Sequence, residues 1–146
     1  MAEAIRVQFI DSFFKKTDPK TYQAAVQETV GKLTLKAENL CKKEAPKKTG
    51  NLRGGHHSEI KGYTGYVKNP VHYWRWIVYG SGPHEITAKN ANMLHWEDGS
   101  GDHFAKTVHH PGNKANNYPQ RVAKSIISQR LAALYFHNAI KKMGAK

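Results

Sequence analysis

Between Asp18-Pro19 and Pro46 the apolar residues Tyr22, Val26, Val30, Leu33, Ala37, Leu40 and Cys41 recur at spacings of three and four. That period places them on one face of a helix and leaves Lys32, Lys36, Glu38, Lys42 and Lys43 mostly off it. After Thr17, Asp18 suits an N-cap and Pro19 a first helical position. Pro46 disfavours helix at the residue before it and ends the run at Ala45. Gly31 weakens the middle only slightly. A long helix with one apolar stripe must lie against another apolar layer, and the rest of the chain has to supply it.

Strand periodicity comes first, over 4–10, where Ile5, Val7 and Phe9 alternate with polar neighbours. Short strands are predicted over 58–62 and 64–69, with Gly62 and Gly65 beside the turn. Further short candidates lie at 85–88, 93–96 and 104–109, separated by Gly and Asn. The aromatic stretch 71–79 fits either a strand or a short helix, and its Trp74, Trp76 and Tyr79 read as core. A second long helix starts near Tyr118-Pro119. Val122, Ile126, Ile127, Leu131, Leu134, Ile140 and Met143 trace it, and it ends at Gly144. The expectation is α+β: one domain over 1–146, an antiparallel sheet packed by two long helices, one before and one after the strands. Segment 47–57 holds three glycines, with Lys47, Lys48, Arg53, His56, His57 and one large apolar residue, Leu52. It reads as a flexible basic loop.

Twenty-three Lys and Arg against eleven Asp and Glu give a formal charge of +12. Such a field attracts polyanions, so nucleic acid and an acidic face of a neighbouring protein are both candidate partners. A lone cysteine, Cys41, excludes an intramolecular disulfide. No stretch reads as a signal peptide or a membrane span, so synthesis in the cytoplasm and no membrane partner are expected.

Nothing in the pattern points to catalysis or to a cofactor. The nine histidines include the adjacent pairs His56-His57 and His109-His110, whose side chains would point to opposite faces of a strand. Neither His-Glu-x-x-His nor Cys-x-x-Cys is present, so no metal site is expected and the histidines read as loop or surface groups. Glu59, Glu85, Glu97, Asp98 and Asp102 are the acidic residues between the helices. Glu97-Asp98 beside Gly99-Ser100-Gly101 is most simply a hairpin tip. Gly54-Gly55 lacks the Lys-Ser/Thr that follows a phosphate-binding loop.

Four segments in order resemble the head–tail joining proteins of long-tailed bacteriophages, also described as neck, tail-completion or minor tail proteins. Ala45-Pro46-Lys47-Lys48-Thr49-Gly50-Asn51-Leu52-Arg53 is similar to that family's A-P-x-x-T-G-x-L-R signature after the first helix. Trp76-Ile77-Val78-Tyr79-Gly80-Ser81-Gly82-Pro83-His84-Glu85-Ile86 is similar to its aromatic-Gly-Thr-x-Pro-His-x-Ile stretch. Asn92-Met93-Leu94-His95-Trp96 stands where a Leu-x-aromatic strand is expected. Val108-His109-His110-Pro111-Gly112-Asn113-Lys114 matches a V-x-His-Pro-Gly-x-Lys element. The chain departs from the pattern at Val78 (commonly Glu), at Ser81 (commonly Thr) and at Gly54-Gly55.

The resemblance implies a non-enzymatic virion protein, assembled as a homo-oligomeric ring with a hexamer as one candidate. It would complete the tail and join it to the head between stopper and tail-terminator rings, with DNA in the channel as a further contact. Lys47, Lys48, Thr49, Leu52 and Arg53 would form the assembly loop. Pro46, Gly50, Tyr79, Gly80, Pro83, His84, His110, Pro111 and Gly112 would fix the turns, His84 and His110 through hydrogen bonds. The rival reading is a basic DNA-binding module of a phage or its host.

Overall fold

In the computed structural model, which describes residues 2–8 and 18–143, the chain is an α+β protein. Phe9, Thr17 and Gly144 lie outside the described residues. The chain divides into two compact units, Met1–Trp74 with Asn117–Lys146, and Arg75–Asn116.

The first unit is built on helix α1, Pro19–Glu44. Asp18 caps it by accepting the Thr21 amide at 2.9 Å, which holds the Asp18 carboxyl below its usual range. Glu28–Lys32 and Glu38–Lys42 pair four residues apart along it, in the orientation that favours a helix. Its inner face presents Ala25, Val26, Thr29, Val30, Leu33, Thr34, Ala37 and Cys41, all buried. The two buried hydroxyls stay satisfied by bonding back one turn, Thr29 to the Ala25 carbonyl and Thr34 to that of Val30, each at 2.7 Å.

Against this face lies a three-stranded antiparallel sheet of β1 (Ala2–Gln8), β2 (His57–Lys61) and β3 (Thr64–Asn69), in the order β1-β3-β2. Ile5 is buried while Arg6 and Gln8 are exposed, which is the alternation expected of the first strand. In the central strand Gly65, Val67 and Asn69 point inward. Gly65 faces α1 so closely that a side-chain methyl there would overlap Thr34 Oγ1. The glycine thus sets how near helix and sheet can approach.

The second long helix is divided. Helix α4 (Tyr118–Ser128) has Asn117 as its N-cap and α5 runs Leu131–Lys142. Arg130 between them is left-handed at φ 51°, and this break shifts the apolar stripe. Val122, Ile126, Leu131 and Ala139 are buried, whereas Ile127 and Leu134, placed on the stripe by an unbroken period, are exposed. Both helices pack on α1, where Tyr22 meets Phe136 edge to face at 5.8 Å. No helix among the described residues is long and apolar enough to cross a membrane.

The second unit holds most of α3 (Trp74–Tyr79) and four short strands, β4 (His84–Thr87), β5 (Leu94–Asp98), β6 (Gly101–Ala105) and β7 (Thr107–His110). The stretch 104–109, expected as one strand, is two. Here β4 pairs only with β7 and β5 only with β6, so the expected single sheet is three separate ones. The two ladders are nested in one ribbon. Ala88 bonds across to Lys106 and Leu94 pairs with the adjacent Ala105, so residues 89–93 bulge out of one side.

Candidate functional site

The first motif segment forms a keyed turn rather than an open loop. Pro46 follows the extended cap residue Ala45, and Gly50 takes φ 94°, a conformation that suits glycine. One turn of helix, α2 (Asn51–Gly54), comes next. Leu52 is buried and serves the core, not a partner. Arg53 Nε donates to the Ala45 carbonyl at 2.6 Å, clasping the turn to the end of α1. Lys47, Lys48 and Thr49 are exposed, so of the five assembly residues expected in this loop these three are presented outward.

His56, read from sequence as a surface group, is buried. Its Nε2 lies 2.8 Å from the Tyr118 hydroxyl, which also accepts the Trp74 indole N–H at 2.9 Å. His56 Nδ1 lies 3.3 Å from the Arg53 carbonyl, which can only accept, so Nδ1 carries the proton and Nε2 accepts from the Tyr118 hydroxyl. Asn69 completes the cluster by donating to the Leu52 carbonyl at 2.9 Å and accepting from the Val71 amide at 3.0 Å. Burial holds the His56 pKa down and pushes that of the Tyr118 phenol up, so both stay neutral. No local signal marks His56, because its partner Tyr118 lies 62 positions along the chain.

The second and fourth motif segments meet in the second unit. Ser81 and Asn113 exchange backbone hydrogen bonds at 3.0 Å in both directions, the Ser81 hydroxyl donates to Asn113 Oδ1 at 2.6 Å, and Asn113 Nδ2 donates to the Trp76 carbonyl at 2.8 Å. Gly80 and Gly112 have φ of 80° and 85°, and a Cβ on Gly112 would strike the Ser81 carbonyl oxygen. His84 Nδ1 donates to the Gly82 carbonyl at 2.9 Å and His110 Nδ1 accepts the Gly112 amide at 3.0 Å. The two imidazoles face each other at 5.0 Å, beside exposed Pro83 and Pro111. His84, His110, Pro83 and Trp76 line an open cleft of about 570 Å³.

Compared with family models, curated proteins and solved structures, the chain matches none.

The chemistry these groups can support is limited. At the β5–β6 tip, Asp98 Oδ1 accepts from the Ser100 amide and hydroxyl at 2.8 and 2.6 Å and from His103 Nε2 at 3.0 Å, which pulls its pKa down to about 2. Ser100 Oγ meets that same Nε2 at 3.0 Å. A serine nucleophile needs its base on one ring nitrogen and the orienting acid on the other, so this set is a bonded turn and not a relay. Among the described residues no three His, Cys, Asp or Glu side chains converge as metal ligands would. Cys41 is buried, its thiol pushed up to about 12 by loss of water and by nearby Glu38, and has little nucleophilic character.

What the second unit does present is apolar surface. Trp76 is 52% exposed, Tyr79 67%, Met93 56% and Phe104 64%, with Ile86 and Trp96 also exposed. Trp76 and Tyr79, taken from sequence as core alongside the buried Trp74, are surface groups. Alternation indicates which residues share a face of a ribbon, not whether anything covers that face.

Proposed function

We propose that the chain is a structural protein of a bacteriophage virion, made in the host cytoplasm, a neck component that completes the tail and joins it to the head as one subunit of a ring. The observation that carries this reading is the ribbon of Arg75–Asn116. It is two strands wide and exposes six large apolar side chains, Trp76, Tyr79, Ile86, Met93, Trp96 and Phe104. An isolated two-stranded hairpin is marginally stable in water, free strand edges invite pairing, and large apolar side chains exposed on both faces of the hairpin, Phe104 on one and Trp96 on the other, leave apolar area for partners to cover. A ribbon covered by neighbouring subunits and by the adjoining stopper or terminator ring resolves all three. The motif resemblance gives the assembly its identity, and the closed geometry of its Ser81–Asn113 segment and of the Pro46–Arg53 turn is that of structural parts. The experiment is electron microscopy of particles made without this protein. Separate filled heads and finished tails are expected; normally joined particles would end the proposal.

A second reading has its own observation. Of the 23 basic and 11 acidic residues, four of each lie in Arg75–Asn116 (Arg75, Lys89, Lys106, Lys114; Glu85, Glu97, Asp98, Asp102), so the other unit carries the whole +12. A body so charged favours contact with DNA, either in the neck channel or as a free DNA-binding module. Tight duplex binding by the isolated protein, weakening steeply with salt, would favour the module.

A further inference from the structure

The two nested ladders differ in charge as well as in register. From Asn90 to Ala105 there is no Lys or Arg, while Glu97, Asp98 and Asp102 cluster at the tip. The pairing of His95 with Phe104 and of Glu97 with Asp102 puts these four side chains on one face of the β5–β6 hairpin. Two carboxylates directly across a ladder repel each other. His95 Nε2, 2.7 Å from Asp102 Oδ1, offsets one of them, and no cation among the described residues is placed against Glu97. Phe104 beside them is 64% exposed. The face therefore combines a largely exposed aromatic ring, stacked on one side by His95 at 4.7 Å, with unbalanced negative charge, on a chain whose net charge is strongly positive.

The complementary surface is present in the same sequence. Lys32, Lys42, Lys61, Lys68 and Lys142 each have a glutamate partner. Of the exposed lysines with no ion-pair partner among the described residues, which include Lys20, Lys36, Lys124 and Lys141, Lys43, Lys47 and Lys48 fall together at the end of α1 and in the turn after it. Building on the ring-subunit reading above, we infer that the Glu97–Asp102–Phe104 face of one copy docks on the Lys43–Lys47–Lys48 surface of a second copy. A contact between different patches is head-to-tail, so it repeats from copy to copy and generates a ring when the rotation closes. It also brings a cation to the repelling carboxylate pair, which makes it sensitive to salt.

The test is a charge swap in the full chain, read by sedimentation velocity and native mass spectrometry. One variant carries Glu97→Lys with Asp102→Lys, the other Lys47→Glu with Lys48→Glu; all four positions are exposed. Wild type is expected to assemble. Each variant alone should need about tenfold more protein for half-assembly, or stay monomeric. An equimolar mixture should recover assembly with the two variants alternating, since each reversed tip then meets a reversed body. Phe104→Ser should weaken assembly and find no rescue in any mixture. Monomeric wild type, variants that assemble unimpaired, or a mixture that stays dissociated would each overturn the contact. The neck reading fails separately. If virions lacking the protein join normally while the swap behaves as described, the contact stands and the virion role falls. If the virion role holds and the swap has no effect, the reverse is true.

Discussion

The hydroxyl of Tyr118 lies 2.8 Å from Nε2 of His56, and this pair ties the start of α4 to the segment that leads into β2. The same oxygen accepts the Trp74 indole N–H at 2.9 Å. Tyr118→Phe strips a partner from two buried groups at once and leaves the ring packing intact. Each lost hydrogen bond costs about 0.5–1.5 kcal/mol, so chemical denaturation should show a loss of about 1–3 kcal/mol with little change in slope. Loss below about 0.5 kcal/mol would mean that the cluster contributes nothing to the fold. The cluster also sets a pH dependence. Because burial lowers the His56 pKa in the folded state from 6.5, the unfolded chain binds the extra proton first. The contribution is complete above the ordinary histidine value and is lost as pH falls from there through the lowered one. Stability measured from pH 8 downward should drop below about pH 6.5, and the His56→Gln variant should lose that part of the slope.

Gly112 is the most closely approached glycine of the second unit. Its φ of 85° and the closeness of the Ser81 carbonyl oxygen leave no room for a methyl group. Gly112→Ala combines a strained backbone, about 1–3 kcal/mol, with a steric push on the Ser81–Asn113 pair. The expected result is local. Amide exchange at Ser81 and Asn113, which bond to each other at 3.0 Å, should accelerate by roughly tenfold or more, while amides of α1 keep wild-type protection. Unchanged exchange at both amides would contradict the role given to this glycine.

Parts of this fold were legible in the sequence because the signals were local. Asp18-Pro19 and Pro46 bound α1, and its apolar spacing marks the buried face. Gly99-Ser100-Gly101 marks the hairpin tip. The break at Arg130 was not legible, since arginine carries no preference for the left-handed backbone it adopts there. His56 looked like one basic group among several in a glycine-rich segment, and its burial depends on an aromatic partner far along the chain. Trp76 and Tyr79 misled for a related reason: apolar content measures what ought to be covered, and in a two-stranded ribbon the cover has to come from outside. Within the candidate assembly segment, the exposure of Lys47 and Lys48 followed from composition. The clasp made by Arg53 depends on the carbonyl of Ala45 lying within reach, which composition does not encode.

The approach of Gly65 to Thr34 gives a sharp test of how α1 sits on the sheet. Gly65→Ala places a methyl against Thr34 Oγ1 and within 3.0 Å of Thr34 Cγ2 and Cβ. Overpacking of this kind costs about 1–3 kcal/mol. Thr34→Ala removes two of the three opposing atoms, so the double variant should lose less stability than the two single variants added together. Simple additivity in a denaturation cycle would show that helix and sheet are not in direct contact at this point.

Arg53, Lys47 and Lys48 share one basic segment but should separate in experiment. Arg53 Nε is committed to the Ala45 carbonyl at 2.6 Å, and the residue is half-buried. Arg53→Gln therefore removes a clasp and should cost about 1 kcal/mol, a drop in Tm of a few degrees for a chain of this length. Lys47→Gln with Lys48→Gln touches two exposed side chains that have no bonded partner among the described residues, so stability should stay within about 0.5 kcal/mol of wild type. Assembly should respond in the opposite order. The lysine pair, with unchanged Tm, should weaken self-association and lower the yield of joined particles. Arg53→Gln should retain assembly at temperatures where it remains folded. If the Arg53 variant instead keeps full stability and loses assembly, the guanidinium belongs to the interface and the clasp is incidental.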